Sequence, residues 1–139
     1  MIAAVFDSSV VAAACGWTAE PYRCLVLVAQ RAVRSYATQE IVAEWRVTIQ
    51  KMHHVGANFQ RSPWPTLEGL IELSRFVTPV PLGKQRSRDS SDDPYLACAL
   101  AAKARFVVTR DQDLLVLGKP FETEIVTPRA FLSRMHAGT

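Results

Sequence analysis

What this sequence has little of narrows its chemistry before any motif is considered. Only six of its 139 residues are glycine, and none stands in G-x-x-x-x-G-K-[ST] or G-x-G-x-x-G spacing, so the phosphate-cradling loops of P-loop and dinucleotide-binding proteins are absent. No G-x-S-x-G elbow occurs either. The three cysteines, Cys15, Cys24 and Cys98, form no C-x-x-C pair and leave an odd number. That pattern argues against a disulfide framework and a zinc-thiolate site. The apolar runs Ile2 to Phe6 and Cys24 to Ala29 fall far short of the ~18 residues of a membrane span. No basic segment precedes an apolar run at the N-terminus, as a secretory signal requires. A reducing cytoplasm is the expected location.

What is present is ordinary for a globular chain: 49% hydrophobic and 21% charged residues, at a length within the ~100–200 residues of one domain. One domain over 1–139 is expected. The net charge of +3 and a pI near 9.0 are compatible with a polyanionic partner without requiring one.

Hydrophobic periodicity divides the chain into alternating strands and helices. Ile2-Ala-Ala-Val-Phe6 is a continuous apolar run stopped by Asp7, the mark of a strand buried on both faces in a parallel sheet. Pro21 to Arg34 and Thr38 to Met52 have helical spacing, with Thr38 suited to an N-cap, and Ser35 to Ala37 forms a short strand between them. A loop is predicted from His53 to Pro65, a helix from Thr66 to Phe76, and a short or edge strand from Val77 to Leu82, interrupted by Pro79 and Pro81. The polar run Gly83 to Ser91 reads as a surface loop. A helix over Pro94 to Ala104 leads into the buried strand Phe106 to Thr109, and Ile125-Val126 forms another strand before a last helix. This order predicts an α/β fold of three layers, α/β/α, around a central, mainly parallel sheet.

In such sheets ligands bind beyond the carboxyl ends of the strands. Asp7 and Asp111 stand there, Asp93 begins the helix that feeds the second strand, and Glu44 lies on the Thr38 helix beside Ile41 and Trp45. Each acid has a bland explanation: Asp7 or Asp93 as a helix cap, Glu44 as a solvated residue, Asp111 and Asp113 as loop residues. The combination is what points to chemistry. Convergent carboxylates repel and hold protons unless a cation compensates, and oxygen-only donors favour Mg²⁺ or Mn²⁺. Such an ion polarises a phosphoryl oxygen and acidifies a bound water, which makes phosphodiester hydrolysis the natural reaction.

Five segments in order then resemble one family: Asp7-Ser-Ser-Val, Thr38-x-x-Ile41-x-x-Glu44, Asp92-Asp93-Pro-Tyr-Leu-Ala97, Thr109-Arg-Asp111-Gln-Asp113-Leu-Leu and Ile125-Val-Thr-Pro128-x-x-Phe131-Leu. Together they look like PIN-domain proteins, specifically toxin components of toxin–antitoxin systems of the VapC type. The resemblance spans Ile2 to Leu132. It implies a metal-dependent endoribonuclease whose acids match Asp7, Glu44, Asp93 and Asp111, with Asp92 and Asp113 as neighbours able to share or replace those roles. It further implies that Ser8, Ser9 and Thr109 support the ligands, that the ion is Mg²⁺ or Mn²⁺, that the substrate is RNA, and that an antitoxin is a partner; the apolar positions of the helix pair Pro21 to Met52 offer a groove or face for a second copy of the chain. The family commonly has Thr-Asn after the first aspartate, where this chain has Ser8-Ser9.

Lys84, Arg86, Arg88 and Arg110 are the candidate phosphate contacts. His53 and His54 are adjacent at a helix end, where a positive charge is favoured anyway. Trp17, Trp45 and Trp64 serve either core packing or stacking on unpaired bases. Two rival readings remain from the residues alone. One is a non-catalytic RNA- or protein-binding module. The other is a Mg²⁺-dependent phosphotransferase with Asp7 as nucleophile, weakened because the acid–base aspartate two positions later is replaced by Ser9.

Overall fold

The chain opens on β1 (Ile2–Phe6), followed by α1 (Ser8–Gly16), α2 (Glu20–Ala29), β2 (Val33–Ala37) and α3 (Gln39–His54). Next come α4 (Trp64–Leu73), β3 (Arg75–Phe76), α5 (Asp93–Ala102), β4 (Phe106–Val108), α6 (Gln112–Leu115), β5 (Glu124–Val126) and α7 (Pro128–Ala137). This computed structural model describes residues 1–137; the last two of the span expected for the domain, Gly138 and Thr139, lie outside the described residues. The sheet order is β3-β2-β1-β4-β5, with every pairing parallel. The three-layer α/β/α expectation is met, with β1 and β4 interior.

The two faces of the sheet follow from the register. Ala4 pairs with Phe106 and Phe6 with Val108, and the rings of Phe6 and Phe106 both meet Phe131 of α7 edge-on, at centroid separations of 6.0 and 5.3 Å. That face therefore belongs to α7, with α2 beside it, where the Cys24 thiol reaches the Pro128 carbonyl at 3.8 Å. Alternation turns Val5 and Val107 to the other face, where α5 crosses β1, β2 and β4. Trp45, fully buried, donates its indole N–H to the Phe6 carbonyl at 3.1 Å, satisfying its polar group and pinning α3 to the end of β1. Cys15, Cys24 and Cys98 are free, buried thiols, each pushed up to about 12 chiefly by desolvation.

The largest differences from expectation lie at three boundaries. The helix predicted through Arg34 stops at Ala29, because Arg31 turns left-handed at φ 63° and frees Val33 to pair with Ile2. The helix predicted through Phe76 stops at Leu73. Ser74 becomes extended and its hydroxyl joins Ser35 at 2.8 Å, so Arg75–Phe76 forms the edge strand. The strand predicted over Val77 to Leu82 does not form: after Val77 donates to the Ala37 carbonyl at 3.0 Å, β2 has ended. Pro79 and Pro81 have no N–H with which to continue a ladder.

Candidate metal centre

Strand order reverses between β2-β1 and β4-β5, so the crevice lies beyond the carboxyl ends of β1 and β4. Register sets the first contact there. Because Phe6 pairs with Val108, Asp7 and Thr109 emerge side by side, and Asp7 donates its backbone N–H to the Val108 carbonyl at 3.2 Å. The Thr109 hydroxyl donates to Asp7 Oδ2 and accepts the Asp111 N–H at 3.0 Å. Thr109 thus links the two strand-end aspartates.

Asp7 is only 5% exposed. Its Oδ1 caps α1, accepting from the Val10 N–H at 3.0 Å and the Ser9 hydroxyl at 2.9 Å. The cap reading of Asp7 is therefore true without being the whole account. Burial outweighs the hydrogen bonds from Thr109, Val10 and Ser9, and with Asp111 nearby it holds the carboxyl above its ordinary value.

The closest gathering of acids is Asp92, Asp111 and Asp113, each offering an oxygen within 4.8 Å of the others. Asp92 is 8% exposed. Desolvation first, and then the hydrogen bond and negative charge of Asp111, raise its carboxyl to about 7. Two bare carboxylates in one place repel, so the charge of Asp111 adds to the cost of ionising Asp92. Ser87, itself buried, donates to Asp92 Oδ2 at 3.2 Å. Asp111 Oδ1 accepts the Asp113 N–H at 2.9 Å, and Arg88 pairs with Asp113 at 3.2 Å.

Glu44 reaches the crevice from α3. Its Oε1 accepts the Ser8 hydroxyl at 2.9 Å, while the Tyr95 hydroxyl accepts the Ser8 backbone N–H at 3.2 Å and bonds to Glu44. Thr109 thus ties Asp7 to Asp111 of the cluster, and Ser8, next to Asp7 in the chain, ties in Glu44 and Tyr95. Asp93, the other member of the acid pair, turns to the polar loop. Its two oxygens accept the backbone N–H groups of Arg86 (3.0 Å) and Ser87 (2.8 Å), so it clamps the polar loop, and its neighbour Asp92 faces Asp111.

The predicted basic contacts also separate. Arg88 lies at the cluster, whereas Arg86 bonds the Leu82 carbonyl at 3.1 Å and stacks over Phe121. Lys84 lines a groove with Pro79, Val80 and Pro81. Arg110 is exposed beside Asp111. His53 and His54 are exposed in the last turn of α3 and join none of these contacts. Sequence reasoning missed Tyr95 and Ser87. The available signals were Tyr95 two residues into the helix begun by an acid pair, and Ser87 as a hydroxyl in an otherwise charged loop.

The raised carboxyls set a pH dependence. A group whose pKa rises on folding adds stability below its unfolded value and loses it as pH climbs through the folded one. With Asp92 near 7 and Asp7 also raised, the protein in chelator melts at a higher temperature at about pH 5 than at about pH 8. A divalent ion held by these acids would flatten that slope, because it would compensate their charge. Melting temperatures that do not move with pH in chelator refute this electrostatic account.

The cluster's donor set is entirely carboxylate oxygen, which suits a hard divalent cation. A family profile described as PIN domain matches residues 3–113. No functionally curated protein matches the chain. Among solved structures, the crystal structure of PAE2754 from Pyrobaculum aerophilum superposes with a TM-score of 0.65 at 17% identity, covering 98% of this chain and 90% of that one. At that identity the likeness speaks for the fold.

Proposed function

The chain belongs to the PIN-domain family, a nuclease-type fold, and from this premise we propose that it is a Mg²⁺- or Mn²⁺-dependent endoribonuclease, the toxin of a toxin–antitoxin pair. The observation that carries the reading is the cluster of Asp92, Asp111 and Asp113 beside buried Asp7 at the carboxyl edge of the sheet. These four acids would hold the ion, with Glu44 bordering them. When bound, the ion supplies charge neutralisation at a phosphoryl oxygen and an acidified water.

The chain's own residues do the positioning. Thr109 fixes the Asp7 carboxylate and the Asp111 backbone with one hydroxyl. Ser8 and Tyr95 aim Glu44, and Ser87 holds Asp92. Arg88 and Arg110 flank the acids, where they attract RNA phosphates and set the strand's path. Asp93 works at one remove, holding the loop that carries Ser87 and Arg88.

The inhibitory antitoxin rests on the resemblance of the five acidic and capping segments to toxin components, the homodimer on the apolar positions of the helix pair over 21–52, and the cytoplasmic location on the odd, unpaired cysteines. Among the described residues no helix is long and apolar enough to cross a membrane. Incubating purified protein with single-stranded RNA in chelator and then in Mn²⁺ tests the central reading: cleavage appears only with the ion. No cleavage under any divalent ion leaves a non-catalytic binding module.

A further inference from the structure

A groove of about 390 Å³ runs away from the acids between α1 and α3, walled by Ser9, Ala13, Trp17, Thr48, Met52 and Arg110 among others. It adjoins the acids. Ser9 belongs to both, since its hydroxyl bonds Asp7, and Arg110 lies between Thr109 and Asp111. On α3, Glu44, Thr48 and Met52 are spaced by four residues and so lie along one face, leading from the acids down the groove. On α1, Ser9 and Ala13 repeat that spacing, and the small Ala13 leaves the space open.

We propose that this groove is a nucleobase subsite that receives one unpaired base of a single-stranded RNA next to the phosphate held at the acids; the proposal rests on the ribonuclease reading above. The chemistry of the walls selects a base. Trp17 offers an indole face, Met52 a polarisable thioether, and Ser9 and Thr48 offer hydroxyls to a base edge. The one charged wall is Arg110, which makes no side-chain hydrogen bond or ion pair among the described residues, and it stands where the sugar-phosphate chain would pass from groove to acids. A cation at the mouth of an apolar slot beside an anion-binding centre matches a nucleotide: neutral ring inside, charge at the rim.

The aromatic wall is preorganised by the segment between α3 and α4. Trp17 packs on Phe59 at a centroid distance of 5.2 Å, and its backbone N–H bonds the Ala13 carbonyl at 3.0 Å. Gln60 donates its backbone N–H to the Gly16 carbonyl at 2.9 Å. Arg61 donates to the carbonyls of Ala14 (2.6 Å) and Trp17 (3.4 Å), with its guanidinium over the Tyr22 ring. A rigid stacking platform loses little freedom on binding. This gives residues 55–63 a part in substrate choice.

The test is fluorescence anisotropy with a labelled short single-stranded oligoribonucleotide and a series in which one base at a time is removed. Wild type should lose about tenfold in affinity when one particular base is missing. Ala13→Phe, which fills the groove, and Trp17→Ala, which removes the stacking face, should each weaken the intact oligomer by about the same factor and abolish the abasic effect. Circular dichroism identifies whichever variant keeps the fold. Unchanged affinity in a folded variant overturns the subsite, and so does a wild type that binds no single-stranded RNA, as when the groove accepts a protein side chain instead. Cleavage is scored separately. Base-dependent binding without cleavage in Mn²⁺ defeats the nuclease reading and keeps the subsite. Cleavage by wild type with both folded variants binding normally does the opposite.

Discussion

Asp7→Asn is expected to lower Mn²⁺-dependent RNA cleavage by at least about 100-fold while the protein remains folded, as is Asp111→Asn. Even residues supporting a metal ligand from behind cost ~10–100-fold when removed, and these two supply charge directly at the strand ends. Asparagine keeps the acceptor that Asp7 presents to Val10 and Ser9, so the cap on α1 survives. The amide nitrogen now faces the Thr109 hydroxyl, which must turn, but no charge remains for an ion to replace. Since burial already disfavours the ionised carboxyl, the metal-free variant should melt no lower than wild type above neutral pH. Cleavage rates and melting curves on the same preparations decide the matter. Full cleavage by both amide variants would defeat the nuclease mechanism.

The second large effect separates two adjacent acids. Asp92→Asn should lose cleavage as severely as Asp111→Asn and weaken Mn²⁺ binding, because it removes a charge from the three-aspartate cluster. It should also stabilise the metal-free protein at about pH 8 by removing a buried charge whose desolvation, with the hydrogen bond and charge of Asp111, raises Asp92 to about 7. Asp93→Asn keeps at least one acceptor for the N–H groups of Arg86 and Ser87 and should retain most of the activity. Asp93→Ala releases both, costs ~1 kcal/mol of stability, and raises KM through the slackened Arg88 loop more than it lowers kcat. Calorimetric Mn²⁺ titration beside cleavage kinetics reads all three. If Asp93→Asn is dead and Asp92→Asn is active, the roles given to this pair are reversed.

Much of this molecule is legible without coordinates, and the reason is locality. The buried run Ile2–Phe6 stopped by Asp7, and Phe106–Val108 followed by Asp111, announce parallel strands with acids at their carboxyl ends, because period and burial are written in neighbouring residues. Thr38 as the cap of α3 is legible for the same reason, its hydroxyl accepting a bond from Ile41, three residues on. Helix ends at Ala29 and Leu73 were not, since their stops come from strand pairing with distant partners, Val33 to Ile2 and Arg75 to Tyr36.

By itself, then, the sequence determined the alternating architecture, the sheet edge where the acids gather and the all-carboxylate character of that cluster. Tertiary structure decided which carboxylates meet. Asp92 and Asp93 are equivalent in any local reading, yet successive side chains at the start of a helix diverge by ~100°, so only one of them can face Asp111. Tyr95 beside Glu44 and the groove at Trp17 arise in the same way from segments far apart in the chain. Their placement follows from how α3 and α5 pack against the ends of β1 and β4, a long-range arrangement that no residue neighbouring the pair encodes.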